Sequence, residues 1–116
     1  TTADQLREKS LALRETFLSR IEGDSTCKAL ILVSPREARL RGAQLSFSHS
    51  DAYPISQALI EAGVVVDFRA PNLLRLGFSP LFLSFNEVAK GASILKQIIS
   101  EGLFRNERFS VRAKVT

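Results

Sequence analysis

The chain is poor in the residues that do most enzymatic chemistry: it has one cysteine, one histidine and one tyrosine, and no methionine or tryptophan. A single cysteine, Cys27, excludes an internal disulfide and a cysteine-built metal cluster. The missing disulfide framework favours a reducing, cytoplasmic compartment. With His49 as the sole histidine, any Ser-His-Asp or Cys-His arrangement must pass through it. Its polar neighbours Ser48, Ser50 and Asp51 follow one another along the chain rather than standing at the spacing of a catalytic constellation. The expected role of His49 is therefore a polar residue between a strand end and a helix start. None of the six glycines forms a GxGxxG or GxxxxGK phosphate loop, and metal-ligand spacing is missing too. No apolar run approaches the ~20 residues of a membrane span; the longest strong run, Ala29 to Val33, suits a buried strand. Without methionine, the chain is expected to be processed or a piece of something longer.

What remains reads as an ordinary folding unit. The 116 residues are 45% hydrophobic and 24% charged, so one core can form without metal or disulfide staples. The formal charge of +4 permits an acidic partner. The basic residues are nonetheless scattered, and their densest group, Arg36, Arg39 and Arg41, is interleaved with Glu37 and apolar residues. That pattern does not mark a nucleic-acid surface.

Three helices can be read, each stopping at a glycine. The first covers about Thr2 to Glu22, with Leu6, Leu13, Phe17 and Ile21 at helical spacing, broadened by Leu11 and Leu18. Gly23 is expected in the left-handed conformation just beyond it. The second covers about Tyr53 to Ala62, with Pro54 in its first turn and Ile55, Leu59 and Ala62 on its apolar face. The third opens on Ser84-Phe-Asn-Glu87, a capping box, and carries Phe85, Val88, Ala92, Leu95 and Ile99 before Gly102. Between them lie four strand candidates: Ala29–Val33, Gln44–His49, Val64–Phe68 and Leu73–Phe78. In the second, Leu45 and Phe47 alternate with Ser46 and Ser48; in the fourth, Leu74, Leu76 and Phe78 alternate with Leu73, Arg75 and Gly77. Ala70-Pro71-Asn72 joins the last two as a hairpin. Short links favour antiparallel pairing, so the expected fold is α+β: a small antiparallel or mixed sheet of about four strands with helices on one face. The first helix and a polar tail from Phe104 to Thr116 have no obvious place in that layer and are expected to pack against something outside the chain.

Arg75 is the residue that local physics singles out. A guanidinium amid Leu73, Leu74 and Leu76 is costly to bury unless an anion partners it, and Gly77 on the same face leaves room for close approach. A solvated face, or pairing of Arg75 with Asp67 or Glu87, explains it equally well.

At these residues the chain becomes recognisable. Arg41–His49 (RGAQLSFSH), Ala58–Arg69 (ALIEAGVVVDFR) and Pro71–Phe82 (PNLLRLGFSPLF) resemble the C-terminal region of bacterial kynureninases. Leu6–Leu13 looks like the helix that leads into that region, and Phe109–Thr116 is similar to the family's chain terminus. The resemblance implies that residues 1–116 form the C-terminal small domain of a fold-type-I, pyridoxal-phosphate-dependent enzyme related to aspartate aminotransferases. It implies a cytoplasmic homodimer of tryptophan catabolism, whose substrate L-kynurenine is cleaved by water at its Cβ–Cγ bond to anthranilate and L-alanine. It implies that Arg75 holds the substrate's α-carboxylate. Phe82 stands where relatives often carry tyrosine. The cofactor's lysine, phosphate-binding and ring-stacking residues belong to the large domain, and none of Lys9, Lys28, Lys90, Lys96 and Lys114 matches those positions. The isolated chain is thus expected to bind no cofactor and to be inactive by itself, without nucleic-acid or membrane partners. Two other classes compete: a stand-alone module binding small carboxylates, and a basic nucleic-acid binder.

Overall fold

A computed structural model describes residues 2–33, 44–77 and 84–110. Helix α1 (Ala3–Glu22) is followed by a 3-10 turn at Ser25–Cys27 and strand β1 (Ile31–Leu32). Strand β2 (Gln44–Ser48), helix α2 (Ala52–Glu61), and strands β3 (Asp67–Arg69) and β4 (Leu73–Gly77) come next. Helix α3 (Phe85–Glu101), a 3-10 turn at Leu103–Arg105 and the short helix α4 (Glu107–Ser110) complete the order. The sheet runs β1-β2-β4-β3 with every neighbouring pair antiparallel. This is the expected α+β layer.

Local chemistry explains the helix ends. Thr2 accepts from the Gln5 N–H at 3.1 Å while the Gln5 side chain accepts from the Thr2 N–H at 3.0 Å, a capping box that starts α1. Ser84 and Glu87 make the same reciprocal pair at the start of α3. Gly102 takes the left-handed conformation (φ 66°) that ends α3 with little steric cost. Gly63 (φ 90°) ends α2, with Gly63 N–H donating to Ile60 and Val64 N–H to Leu59 at 2.9 Å. Gly23 departs from expectation: its φ is −76°, a right-handed value, because the chain runs straight on into the turn at Ser25, which Asp24 caps.

Period-two alternation places Leu45 and Phe47 of β2 and Leu74 and Leu76 of β4 on one face, all buried. Helices α1, α2 and α3 cover that face with Leu13, Phe17 and Ile21, with Ile55 and Leu59, and with Val88, Ala92 and Leu95. Ala62 lies beyond the last turn of α2 and is exposed, and Phe85 at the start of α3 is 46% exposed, so neither joins the core.

Four expectations are corrected. Helix α1 packs on α3 and β2, and its apolar stripe is part of the core rather than a surface awaiting another body. The described part of the tail is polar only in composition: Phe104 and Phe109 close one end of the core over α2. The apolar run at Ala29–Val33 is not a buried strand; β1 is a two-residue edge strand, and its Ile31 and the Val33 that follows it are 62% and 52% exposed. The strand expected at Val64–Phe68 begins only at Asp67, and the Val64 N–H is spent on closing α2. The basic group at Arg36, Arg39 and Arg41, the positions Phe78 and Phe82, and the terminal Val111–Thr116 lie outside the described residues.

The tail's place in the core gives a direct test. Phe104→Ala is expected to destabilise the chain by about 3–5 kcal/mol, the usual cost of emptying a buried aromatic site. Leu103→Ala, one residue away and 44% exposed, is expected to stay within about 1 kcal/mol. Urea unfolding of both variants measures the contrast.

Candidate functional site

The sheet face that the described helices leave uncovered carries the polar chemistry. Alternation turns Ser46 and Ser48 of β2 and Leu73, Arg75 and Gly77 of β4 away from the core, and register places Ser46 directly across from Arg75. On the other side of β4, register places Asp67 across from Arg75 and Arg69 across from Leu73. At the level of Arg75 the sheet therefore presents a row of Ser46, Arg75 and Asp67. Val33 extends it at the β1 edge, its N–H donating to the Ser46 carbonyl at 2.8 Å.

Arg75 is neither solvated nor fully buried: its side chain keeps 31% of its exposure. Of the two partners considered from sequence, the structure selects Asp67, whose Oδ2 accepts from Arg75 Nη2. Glu87 is engaged in capping its own helix. The Asp67 carboxyl is held below the usual carboxylate range, first by the hydrogen bond from Arg75 and further by the charges of Arg75 and Arg69. Arg69 Nε approaches the same Asp67 oxygen at 3.8 Å. Arg75 Nε, by contrast, is buried and has no hydrogen-bond partner among the described residues. A buried donor left unpaired typically costs about 1–3 kcal/mol, and such groups concentrate where a ligand completes the bonding. Among the described residues space is available for one: a Cβ added at Gly77 would meet none of their atoms within 4 Å. The site is thus a half-shielded guanidinium with one nitrogen held by a carboxylate and another unpaired, on an open face among small side chains. Its chemistry suits an anion of carboxylate type.

A depression of about 400 Å³ lies between the α2–β3 turn and α3, lined by Val64, Val65, Leu76 and Gly91 among others. It is mainly apolar and Arg75 is not in its wall.

His49 has the structural role expected of it. It is buried between β2 and α2, and its Nδ1 accepts the Asp51 N–H at 2.8 Å, which leaves the proton of the neutral ring on Nε2. The ring meets Phe104 edge to face, with centroids 6.1 Å apart. Among the described residues it has no hydrogen bond to a serine or cysteine, so no nucleophile–base pair forms. Burial pushes its pKa below the ordinary value, with the Asp51 charge opposing. Cys27 is buried as well, and burial raises its thiol pKa, the opposite of an activated nucleophile. No group of three potential metal ligands and no helix long and apolar enough to cross a membrane occurs among the described residues.

Arg14 is the residue that sequence reasoning passed over. Counted there only among scattered basic residues, it is fully buried, with Nε donating to the Gln44 carbonyl at 3.0 Å and Nη1 to Glu15 at 2.7 Å. Its spacing held the signal: Ser10, Arg14, Phe17 and Ile21 share one helical face, and all are buried. It anchors the start of β2 to α1, which fixes the strand that lies across from Arg75.

Comparison with known proteins places this geometry in a family. Residues 6–95 match the model of the kynureninase C-terminal domain. The chain is 40% identical over its full 116 residues to a kynureninase of Pseudomonas fluorescens, covering 28% of that protein. Kynureninases of Burkholderia mallei strain SAVP1 and Burkholderia pseudomallei strain K96243 match at the same identity, with the same 28% covered. The chain thus spans less than a third of the length of the curated relatives it matches.

The lowered pKa of His49 fixes the sign of a pH effect. A folded-state pKa below the unfolded value of about 6.5 means that the unfolded chain binds more protons. The contribution is fully present above that pH and is lost as pH falls through it toward the folded value. The chain is expected to lose stability on acidification below about pH 6.5, and His49→Gln is expected to flatten that slope, as read by urea midpoints across pH 5–8.

Proposed function

Because the chain belongs to the kynureninase C-terminal domain family, we propose that it is the small domain of a kynureninase and that Arg75 holds the substrate's α-carboxylate. The reaction of the whole enzyme is hydrolysis of L-kynurenine at the Cβ–Cγ bond, water adding across it to give anthranilate and L-alanine. The observation that carries the reading is the buried Nε of Arg75, unpaired among the described residues, on the sheet face that the described helices leave uncovered. A charged fork held partly out of water binds a carboxylate far more firmly than a solvated one, and it also fixes the orientation of the attached Cα. Orientation is what a substrate with several breakable bonds at and beside Cα requires of its binding site.

The described residues do not themselves fit pyridoxal phosphate. No lysine among them is buried, and the only buried polar side chains are Ser10, Arg14, His49 and Ser56. In this reading the cofactor and the groups that hold it belong to a large domain, which meets the face that the described helices leave uncovered. The exposed Ile31 and Val33 on that face supply apolar area for such a contact. In this reading the working unit is a cytoplasmic homodimer, and this chain contributes one substrate contact and part of the wall of the cleft.

In a full-length kynureninase carrying this chain, Arg75→Ala is expected to lower kcat/KM toward kynurenine by about 100-fold or more, the scale of losing a buried charged partner. Unchanged efficiency would remove Arg75 from the site. For the isolated chain, added pyridoxal phosphate is expected to leave the free cofactor's absorbance spectrum unchanged, and a new visible band would overturn the assignment of the cofactor site to the rest of the enzyme.

A further inference from the structure

We infer that Asp67 is a positioning residue, one that aims the Arg75 guanidinium at the substrate carboxylate without touching the substrate itself. The inference rests on the reading of Arg75 above and deepens it.

An arginine side chain has four flexible torsions, and its use as a clamp depends on something holding the head group still. Around Arg75 the sheet offers little bulk for that purpose. Ser46 stands opposite on β2, and Gly77 follows two residues on along β4. The position opposite on β3 is Asp67, and its carboxylate is the hydrogen-bond partner that Arg75 has among the described residues. Arg69, on the same strand, brings its Nε to 3.8 Å from the same Oδ2, a second positive charge beyond hydrogen-bond distance. The hold is also selective: it takes Nη2 and leaves Nε unpaired. A ligand carboxylate therefore meets a head group already turned, with a donor to spare.

Asp67 also places a negative charge near an incoming anion, and the two effects oppose each other. Two guanidiniums, Arg69 and Arg75, stand against the one carboxylate, so the local balance stays positive. Asp67 is 57% exposed as well, so solvent screens its repulsion. Loss of aim on a charged clamp is the larger effect, because small misplacements of a reacting group carry large rate penalties.

The test compares two substrates in the full-length enzyme, kynurenine and its primary amide, which lacks the carboxylate. Asp67→Asn is expected to lower kcat/KM toward kynurenine about tenfold, mainly through KM, and to leave the amide's value nearly unchanged. Asp67→Glu, which keeps the charge, is expected to recover most of the loss. Asp67→Ser serves as a second neutral variant with the same expected pattern should the asparagine enzyme fold poorly. An unchanged kcat/KM toward kynurenine overturns the inference, and so does an equal loss on acid and amide, the mark of a general structural defect. Arg75→Ala in parallel separates the two claims. If it penalises acid and amide alike, the carboxylate reading of Arg75 fails; if it discriminates and Asp67→Asn does not, the role of Asp67 alone fails.

Discussion

Burial of one face of a four-stranded antiparallel sheet under three helices is the constraint on which the other features depend. Three helices supply apolar stripes against Leu45, Phe47, Leu74 and Leu76, and pleating sends every alternate residue to the opposite side. A one-residue slip in β4 would exchange Leu74 and Leu76 for Arg75 and Gly77 in the core, at the cost of an unpaired buried charge. Register is therefore enforced by the core, and the core in turn fixes the side on which Arg75 emerges. The site needs no dedicated scaffold; it is the reverse side of the packing.

Much of this was legible in the residues themselves. Strict alternation in Gln44–Ser48 and Leu73–Gly77 is a period-two signal with a single geometric solution, so the faces of Ser46 and Arg75 follow directly. The capping box at Ser84 and Glu87 is equally local, and it explains why Glu87 is not the partner of Arg75. What stayed illegible depended on tertiary context. Phe104 and Phe109 sit among Arg105, Asn106, Glu107 and Arg108, so local composition masks two core residues that only packing over α2 identifies. Arg108 reinforces that docking through Glu61, with contacts at 2.7 and 3.0 Å. Arg14 was hidden for a related reason: its charge suggested the surface, whereas its spacing marked the buried face.

The candidate site was legible in part. Pattern alone divides Arg75 evenly between a ligand contact and its alternative, a solvated face or an ion pair with Asp67 or Glu87, and its geometry shows that these are not exclusive. It is partly exposed, it is paired with Asp67, and one of its nitrogens is still unpaired. No reading of residue order can say which nitrogen of a guanidinium is occupied. The resemblance to kynureninases comes from the collinear run of several stretches, and the family match over residues 6–95 takes in all of them but the terminal Phe109–Thr116.

The sheet's two borders show a further economy. Its outermost strands among the described residues are β1, two residues long, and β3, three residues long with Asp67 and Arg69 at its ends. Unpaired strand borders recruit strands from other molecules, and brevity and charge are the usual deterrents. The pair that holds Arg75 thus stands on a border that a neighbouring chain would find both too short and too charged to extend, so the same carboxylate that turns a guanidinium helps keep separate molecules from joining sheet to sheet.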